Sequence, residues 1–315
     1  MTPESQTANR REFLQLSLAL GAGLCLPAMA SSNPMFNNQS IHKRVIPGTN
    51  EQLPIIGMGT WQTFDIGEGE AQRSNMRDIL QTFYEMGGRV LDSSPMYGRS
   101  EDVLGDLSAD LNLLGKFFMA TKVWTQGRSR GIDQMKSSMT KMRTQPMDLM
   151  QIHNLVDVRT HLDTLRKWKE EGKVRYMGLT HYVVSAHDDL ERLIKSEKNL
   201  DFIQINFSIL TRNAAKRLLP TAHDKGVGVL INRPYEGGSL FRKVKGKELP
   251  SWAKEWDINS WGQYFLKYIV SHEEVSAAIP ATTKLHHLKD NMGAAYGLLP
   301  DAATRNKMVA YLEQL

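Results

Sequence analysis

A chain of 315 residues that is 41% hydrophobic and 23% charged has the make-up of a folded globular protein, which excludes a disordered or fibrous chain. Its formal net charge of +5 is modest, and the positive residues are dispersed, with small clusters at 128–130, 167–173 and 242–247. That pattern is a solvated surface of mixed sign, so no nucleic-acid partner is expected, and a single cysteine, Cys25, excludes a disulfide framework.

The chain opens with Asn9-Arg10-Arg11-Glu12-Phe13-Leu14, an uncharged apolar stretch over 16–29, and Ala28-Met29-Ala30. A paired arginine, a hydrophobic core of moderate length and an A-x-A site together read as a twin-arginine signal peptide over 1–30, cleaved after Ala30. The stretch is short of the roughly 20 apolar residues of a membrane span, and Gly21 and Gly23 lower its apolarity further. The expectation is twin-arginine export machinery as a partner, a periplasmic or otherwise exported mature protein, and no stable membrane span in it. Cleavage would remove Cys25 and leave no thiol. The signal resembles those that export already folded proteins, which suits a protein that must first load a nucleotide cofactor.

Residues 31–42 form a polar linker, and 43–315 read as a single domain. The domain begins with a hairpin, KRVIP and LPIIG flanking Gly48-Thr49-Asn50. Eight short β-like runs follow, at 55–60, 89–92, 116–123, 148–153, 174–180, 201–207, 227–232 and 275–280. Amphipathic stretches near 70–86, 100–113, 131–144, 159–171, 185–197, 212–225 and 259–271 separate them and read as helices. Gly172 and Gly226 sit just past two of these, where a left-handed terminator belongs. Strands alternating with helices give a parallel sheet, and eight of them close as a (β/α)8 TIM barrel. An open doubly wound sheet is the competing form, but Gly57-Met58-Gly59-Thr60-Trp61 lacks the third glycine and the helix start of a dinucleotide-binding turn.

Three of the apolar runs end in a titratable residue: RVLD at Asp92, FFMATK at Lys122 and DLMQIH at His153. Tyr97 follows the first by five positions. Ionisable groups that end buried strands are costly unless paired or used. In a barrel they would gather at the C-terminal mouth, where active sites lie. These types suit carbonyl reduction. Lys122 would lower the pKa of the Tyr97 phenol so that it can protonate a developing alkoxide, Asp92 would hold Lys122, and His153 would orient the substrate oxygen. None of the four can supply a hydride, so a reduced nicotinamide must. The strand ends carry no clustered His and carboxylate ligands, and no metal site is expected.

The stretches GMGTW, LDSSPMYGRSEDVLG, ATKVW, DLMQIHN, GKVRYMGLTH, QINFSIL and IPATTKLHHLKDN, spanning roughly 43–298, resemble the aldo-keto reductase family. The resemblance implies a (β/α)8 barrel that binds an extended nicotinamide dinucleotide, with Tyr97 as the acid and Asp92, Lys122 and His153 assisting. It further implies cofactor contacts from Thr60, Trp61 and Asp92, and from Thr180-His181 and Gln204 around the carboxamide, although His181 departs from the family's usual asparagine. Asn232-Arg233-Pro234 stand where the family often reads an aromatic, serine and proline. The stacking ring is then missing at Asn232, with Phe207 or Tyr235 as substitutes.

In the late segment, Ala281, Thr282 and His287 occupy the places that often hold Lys, Ser and Arg in NADP-selective members, followed by the matching Asp290-Asn291. Lys284 offers compensating charge, and the resemblance favours NADP(H) over NAD(H). Trp61, Met96 and Trp124 would line the pocket for a small carbonyl substrate. The segment 235–257 reads either as a flap over the pyrophosphate or as an exposed loop. An enzyme is the primary expectation; a cofactor-sensing regulatory subunit on the same fold is the alternative.

Overall fold

The computed structural model describes residues 40–315, so the expected signal peptide and most of the linker lie outside the described residues. Strands β1 (Lys43–Val45) and β2 (Gln52–Pro54) pair antiparallel as the expected hairpin, with Arg44 opposite Leu53. Eight parallel strands follow: β3 (Met58–Gly59), β4 (Val90–Asp92), β5 (Phe118–Val123), β6 (Met147–His153), β7 (Val174–Thr180), β8 (Phe202–Asn206), β9 (Gly228–Asn232) and β10 (Ala277–Ala278). Each pairs with its sequence neighbour. The ring closes where the chain before β3 meets β10: Gly57 N donates to Ala278 O at 2.8 Å and Ala278 N to Ile55 O at 2.9 Å. The backbones are tight there, since a Cβ on Gly59 would lie 2.9 Å from the Ile279 carbonyl oxygen.

The outer layer contains α1 (Glu70–Glu85), α2 (Ser100–Asp110), α3 (Arg128–Lys141), α4 (Val158–Glu170), α5 (His187–Ser196), α6 (Leu218–Asp224), α7 (Ser239–Lys243), α8 (Trp261–Val270), α9 (Leu285–Gly293) and α10 (Ala302–Glu313). Gly172 and Gly226 terminate α4 and α6 with φ of +69° and +64°, as expected. The helix expected over 212–225 is instead a 3₁₀ turn at Asn213–Lys216 followed by α6. Pro220 explains the break, because its ring would clash with the carbonyl four residues back in a continuous helix. The segment 235–257 is not wholly irregular: it holds α7 and a 3₁₀ turn at Ser251–Trp256. Helices α9 and α10 were not anticipated. They cover α8, in which every residue from 262 to 270 is buried, and Tyr264 on α8 donates its hydroxyl proton to Met308 O on α10 at 2.8 Å.

Alternation along the strands builds the lumen in layers. A lower, apolar layer contains Val90, Phe118, Leu149, Tyr176, Phe202 and Leu230, and it includes Ile46 and Leu53 of the hairpin. The rings of Phe118, Tyr176 and Phe202 stand 5.7–6.0 Å apart, centroid to centroid. Further along, two residues past Val90, Ala120, Leu149 and Phe202 of that apolar cluster, the inward positions turn polar: Asp92, Lys122, Gln151 and Gln204. Among the described residues no helix is long and apolar enough to cross a membrane, and no three His, Cys, Asp or Glu side chains cluster as a metal-ligand set.

Helix α2 is buried against α3 through Gly105, where an added Cβ would overlap the Lys141 carbonyl oxygen. Backbone cannot move aside as a flexible side chain can. Gly105→Ala should therefore lower stability by about 1–3 kcal/mol, read as a lower urea midpoint with an unchanged slope.

Candidate active site

Asp92, at the C-terminal end of β4, is 2% exposed and is the hub of a buried polar network. Lys122 Nζ donates to Asp92 Oδ2 at 2.6 Å and to the Ser93 carbonyl at 2.6 Å. Gln151 and Gln204 each donate an amide N–H to Asp92 Oδ1, at 3.0 and 2.7 Å. Burial works against the Lys122 ammonium, but Asp92 and Tyr97 overcome it and hold the lysine pKa above its ordinary value. The lysine thus stays charged inside the barrel.

Tyr97 lies on the loop after β4, where its N–H bonds the Ser94 carbonyl at 3.0 Å. Lys122 Nζ stands 5.1 Å from its ring centroid. The ammonium pulls the phenol's pKa down, as expected, but it does not set the net direction. Burial raises the Tyr97 pKa, and the opposing pull of Lys122 does not prevail. The resting phenol therefore carries its proton. His153, at the end of β6, meets Tyr97 edge-on with ring centroids 6.2 Å apart and has Trp124 at 5.9 Å on another side. Burial, helped by Lys122 and His181, pushes its pKa down to about 3, so the imidazole is neutral near pH 7. The four residues expected to act together are brought together.

Around them, Thr60 is fully buried, with its hydroxyl oxygen 3.0 Å from the Asp92 carbonyl, to which it donates, and 2.9 Å from the Ser93 hydroxyl. Trp61, Met96 and Trp124 are exposed on the loops after β3, β4 and β5, and Gln134 ties down the Trp124 backbone N–H at 2.6 Å. On the facing strands, Thr180 donates to Gln204 Oε1 at 3.2 Å. Gln204 is thus partly committed to Asp92 and Thr180, retaining one amide N–H and one lone pair. Asn232 donates its amide N–H to the His181 carbonyl at 3.1 Å, Arg233 is exposed and Pro234 is buried. Neither ring expected to replace the missing aromatic stands free. Phe207 is fully buried against Tyr268 and His272, and Tyr235 packs on Phe241 and Phe265 with its hydroxyl bonded to Asn291 Oδ1 at 2.6 Å. The open ring on this rim is Tyr182, 47% exposed, stacked on His181 with the Arg233 guanidinium 6.0 Å above it.

The late residues lie on the loop after β10, at Ala281 and Thr282, and along α9, at His287, Asp290 and Asn291. Ala281 is exposed, and Thr282 Oγ1 accepts from Lys284 N at 3.1 Å. His287 packs against His286, and burial, then His286 and Lys284, lower its pKa, so it adds no fixed charge near neutrality. Asp290 and Asn291 act in packing here: Asp290 accepts from Ser260 Oγ at 2.7 Å and from Gln263 Nε2 at 3.0 Å, and Asn291 holds Tyr235. Among the described residues, three buried amide oxygens at or near the mouth lack a protein partner: Gln151 Oε1, Asn154 Oδ1 and Asn232 Oδ1. Unused acceptors beside the half-used Thr180–Gln204 pair fit a ring that bears a carboxamide. Sequence reasoning missed Gln151 and Ser94. The first was legible from parity, since Leu149, Gln151 and His153 share one face of β6.

This is the constellation of a (β/α)8 oxidoreductase that acts on carbonyl groups. The model of the "Aldo/keto reductase family" matches residues 55–306. A methylglyoxal reductase of Escherichia coli K12, YeaE, is 25% identical over 247 residues, covering 76% of this chain and 84% of its own. An NADH-specific methylglyoxal reductase of the same organism is 27% identical, over 67% of this chain and 73% of its own. Among solved structures, an aldo/keto reductase from Klebsiella pneumoniae in complex with NADP and acetate superposes with a TM-score of 0.72 at 21% identity, covering 87% of this chain and 95% of that one. The chain belongs to the aldo/keto reductase family.

Removing one member of a buried ion pair leaves an uncompensated charge. Lys122→Met should destabilise the fold by about 3–5 kcal/mol, and adding Asp92→Asn should recover part of that loss. Urea unfolding of both singles and the double variant measures the coupling.

Proposed function

We propose that this protein reduces a small aldehyde or ketone to the alcohol with NADPH, Tyr97 acting as the proton donor. The observation that carries the reading is the Asp92–Lys122 pair buried beneath Tyr97, with neutral His153 across the ring. A bound reduced nicotinamide supplies the hydride to the carbonyl carbon. His153 and Tyr97 direct their N–H and O–H at the carbonyl oxygen, and Tyr97 passes its proton to the alkoxide that develops there. The Lys122 ammonium offsets the negative charge left on the phenol oxygen, and Asp92 keeps that ammonium in place. Trp61, Met96 and Trp124 form the apolar side of the substrate entrance. An intact set of this kind favours chemistry over a purely cofactor-sensing role.

Thr180, Gln204 and Asn232 would hold the carboxamide, with Tyr182 and Arg233 beside them at the rim. For the far end of the cofactor, Lys284 is the cation that replaces the departures at Ala281 and His287. The solved relative bound to NADP supports NADPH, while the NADH-specific relative marks the competing preference. The methylglyoxal reductases among the relatives support a small substrate. Purified protein should oxidise NADPH with methylglyoxal or another small carbonyl, and more efficiently than NADH. Tyr97→Phe should cut turnover by about 10²–10⁴-fold and leave NADPH binding, measured by fluorescence titration, intact. Cofactor binding without turnover across a broad carbonyl panel would defeat the catalytic reading.

The proposal includes export. The Arg10-Arg11 pair, the apolar stretch after it and Ala28-Met29-Ala30 support a twin-arginine route that delivers the folded, cofactor-loaded protein. Replacing both arginines with lysine should trap a full-length precursor in the cytoplasm, whereas the parent chain should appear outside it beginning at Ser31. Cell fractionation with N-terminal mass analysis distinguishes these outcomes.

A further inference from the structure

We infer that Ser94 is a positioning residue that selects the reactive tautomer of His153, an assignment that rests on the reductase reading above. Ser94 lies two residues past Asp92 and is 0% exposed. Its Oγ stands 3.2 Å from His153 Nδ1 and also accepts the Met96 N–H at 3.3 Å. A hydroxyl has one proton to give. The Met96 N–H takes up lone-pair capacity on the oxygen, and His153 Nδ1 is the acceptor within reach for the proton. Were Nδ1 itself protonated, the Ser94 proton would be buried without an acceptor, a state that buried polar groups avoid.

Ser94 Oγ–H therefore donates to Nδ1, and the imidazole's single proton sits on Nε2. The low pKa of His153 keeps the ring neutral, so no second proton masks this preference. The consequence is directional. With Nδ1 occupied by Ser94, Nε2–H is the ring's one donor, and it is free for the carbonyl oxygen that Tyr97 will protonate. The opposite tautomer would present a lone pair to that oxygen and repel it.

Histidine ¹⁵N NMR of the full chain near neutral pH tests the assignment, with a His153→Gln sample identifying the resonances. The parent protein should show an unprotonated Nδ1 and a protonated Nε2. Ser94→Ala should move the His153 signals towards the other tautomer and lower kcat about tenfold, with the Kd for NADPH unchanged. Ser94→Thr, which keeps the hydroxyl, should restore both. A parent spectrum with the proton on Nδ1, or a Ser94→Ala variant whose tautomer and kcat match the parent, would overturn the inference. The NMR signature does not depend on turnover, so an inactive protein with the expected tautomer would count against the reductase reading alone.

Discussion

A lysine and an aspartate buried together in a barrel lumen impose the constraint on which the rest of the mouth depends. Neither Lys122 nor Asp92 is tolerable there alone, and attraction between them offsets desolvation only when the remaining donors and acceptors are also satisfied. The structure meets that condition with neutral partners: Gln151 and Gln204 on the second carboxylate oxygen and the Ser93 carbonyl on the ammonium. Amides add no charge of their own, and the field of the Lys122 ammonium acts on both Tyr97 and His153. It favours the phenolate without outweighing burial, and it disfavours an imidazolium. Burial thus sets the proton inventory of both neighbours, with the buried pair opposing it at Tyr97 through Lys122 and reinforcing it at His153.

Much of this was legible in the sequence because strands have a period of two. Asp92, Lys122 and His153 close their runs on the inward face, and the order of eight such runs was enough to indicate a closed parallel barrel. The direction of the Tyr97 shift was not legible, since it depends on how much water the loop around it excludes. The terminal helices escaped for a related reason. Helix α10 buries only Thr304, Met308 and Leu312, a thin stripe that gives little periodic signal, and it helps to cover α8, which is buried on every side from 262 to 270.

At the cofactor rim the sequence departs from the family's pattern, and neither ring offered as a substitute stands free. Phe207 and Tyr235 are aromatic and near in sequence, yet tertiary packing commits both rings elsewhere. The surface left open consists of Asn232, with its unpaired amide oxygen, and the His181–Tyr182–Arg233 stack. Likewise Asp290 and Asn291 match a family pattern while serving as ties between α9, the start of α8 and the loop after β9. A motif match locates a residue along the chain; hydrogen bonds decide how much of it remains for a ligand.

The hairpin at the start of the domain has a consequence for traffic. Ile46 and Leu53 join the clustered rings of Phe118, Tyr176 and Phe202 to seal one end of the lumen. The barrel is therefore a vessel with one door. Whatever reaches the polar layer of Asp92, Lys122 and Gln204 must come past the loops that carry Trp61, Met96 and Trp124.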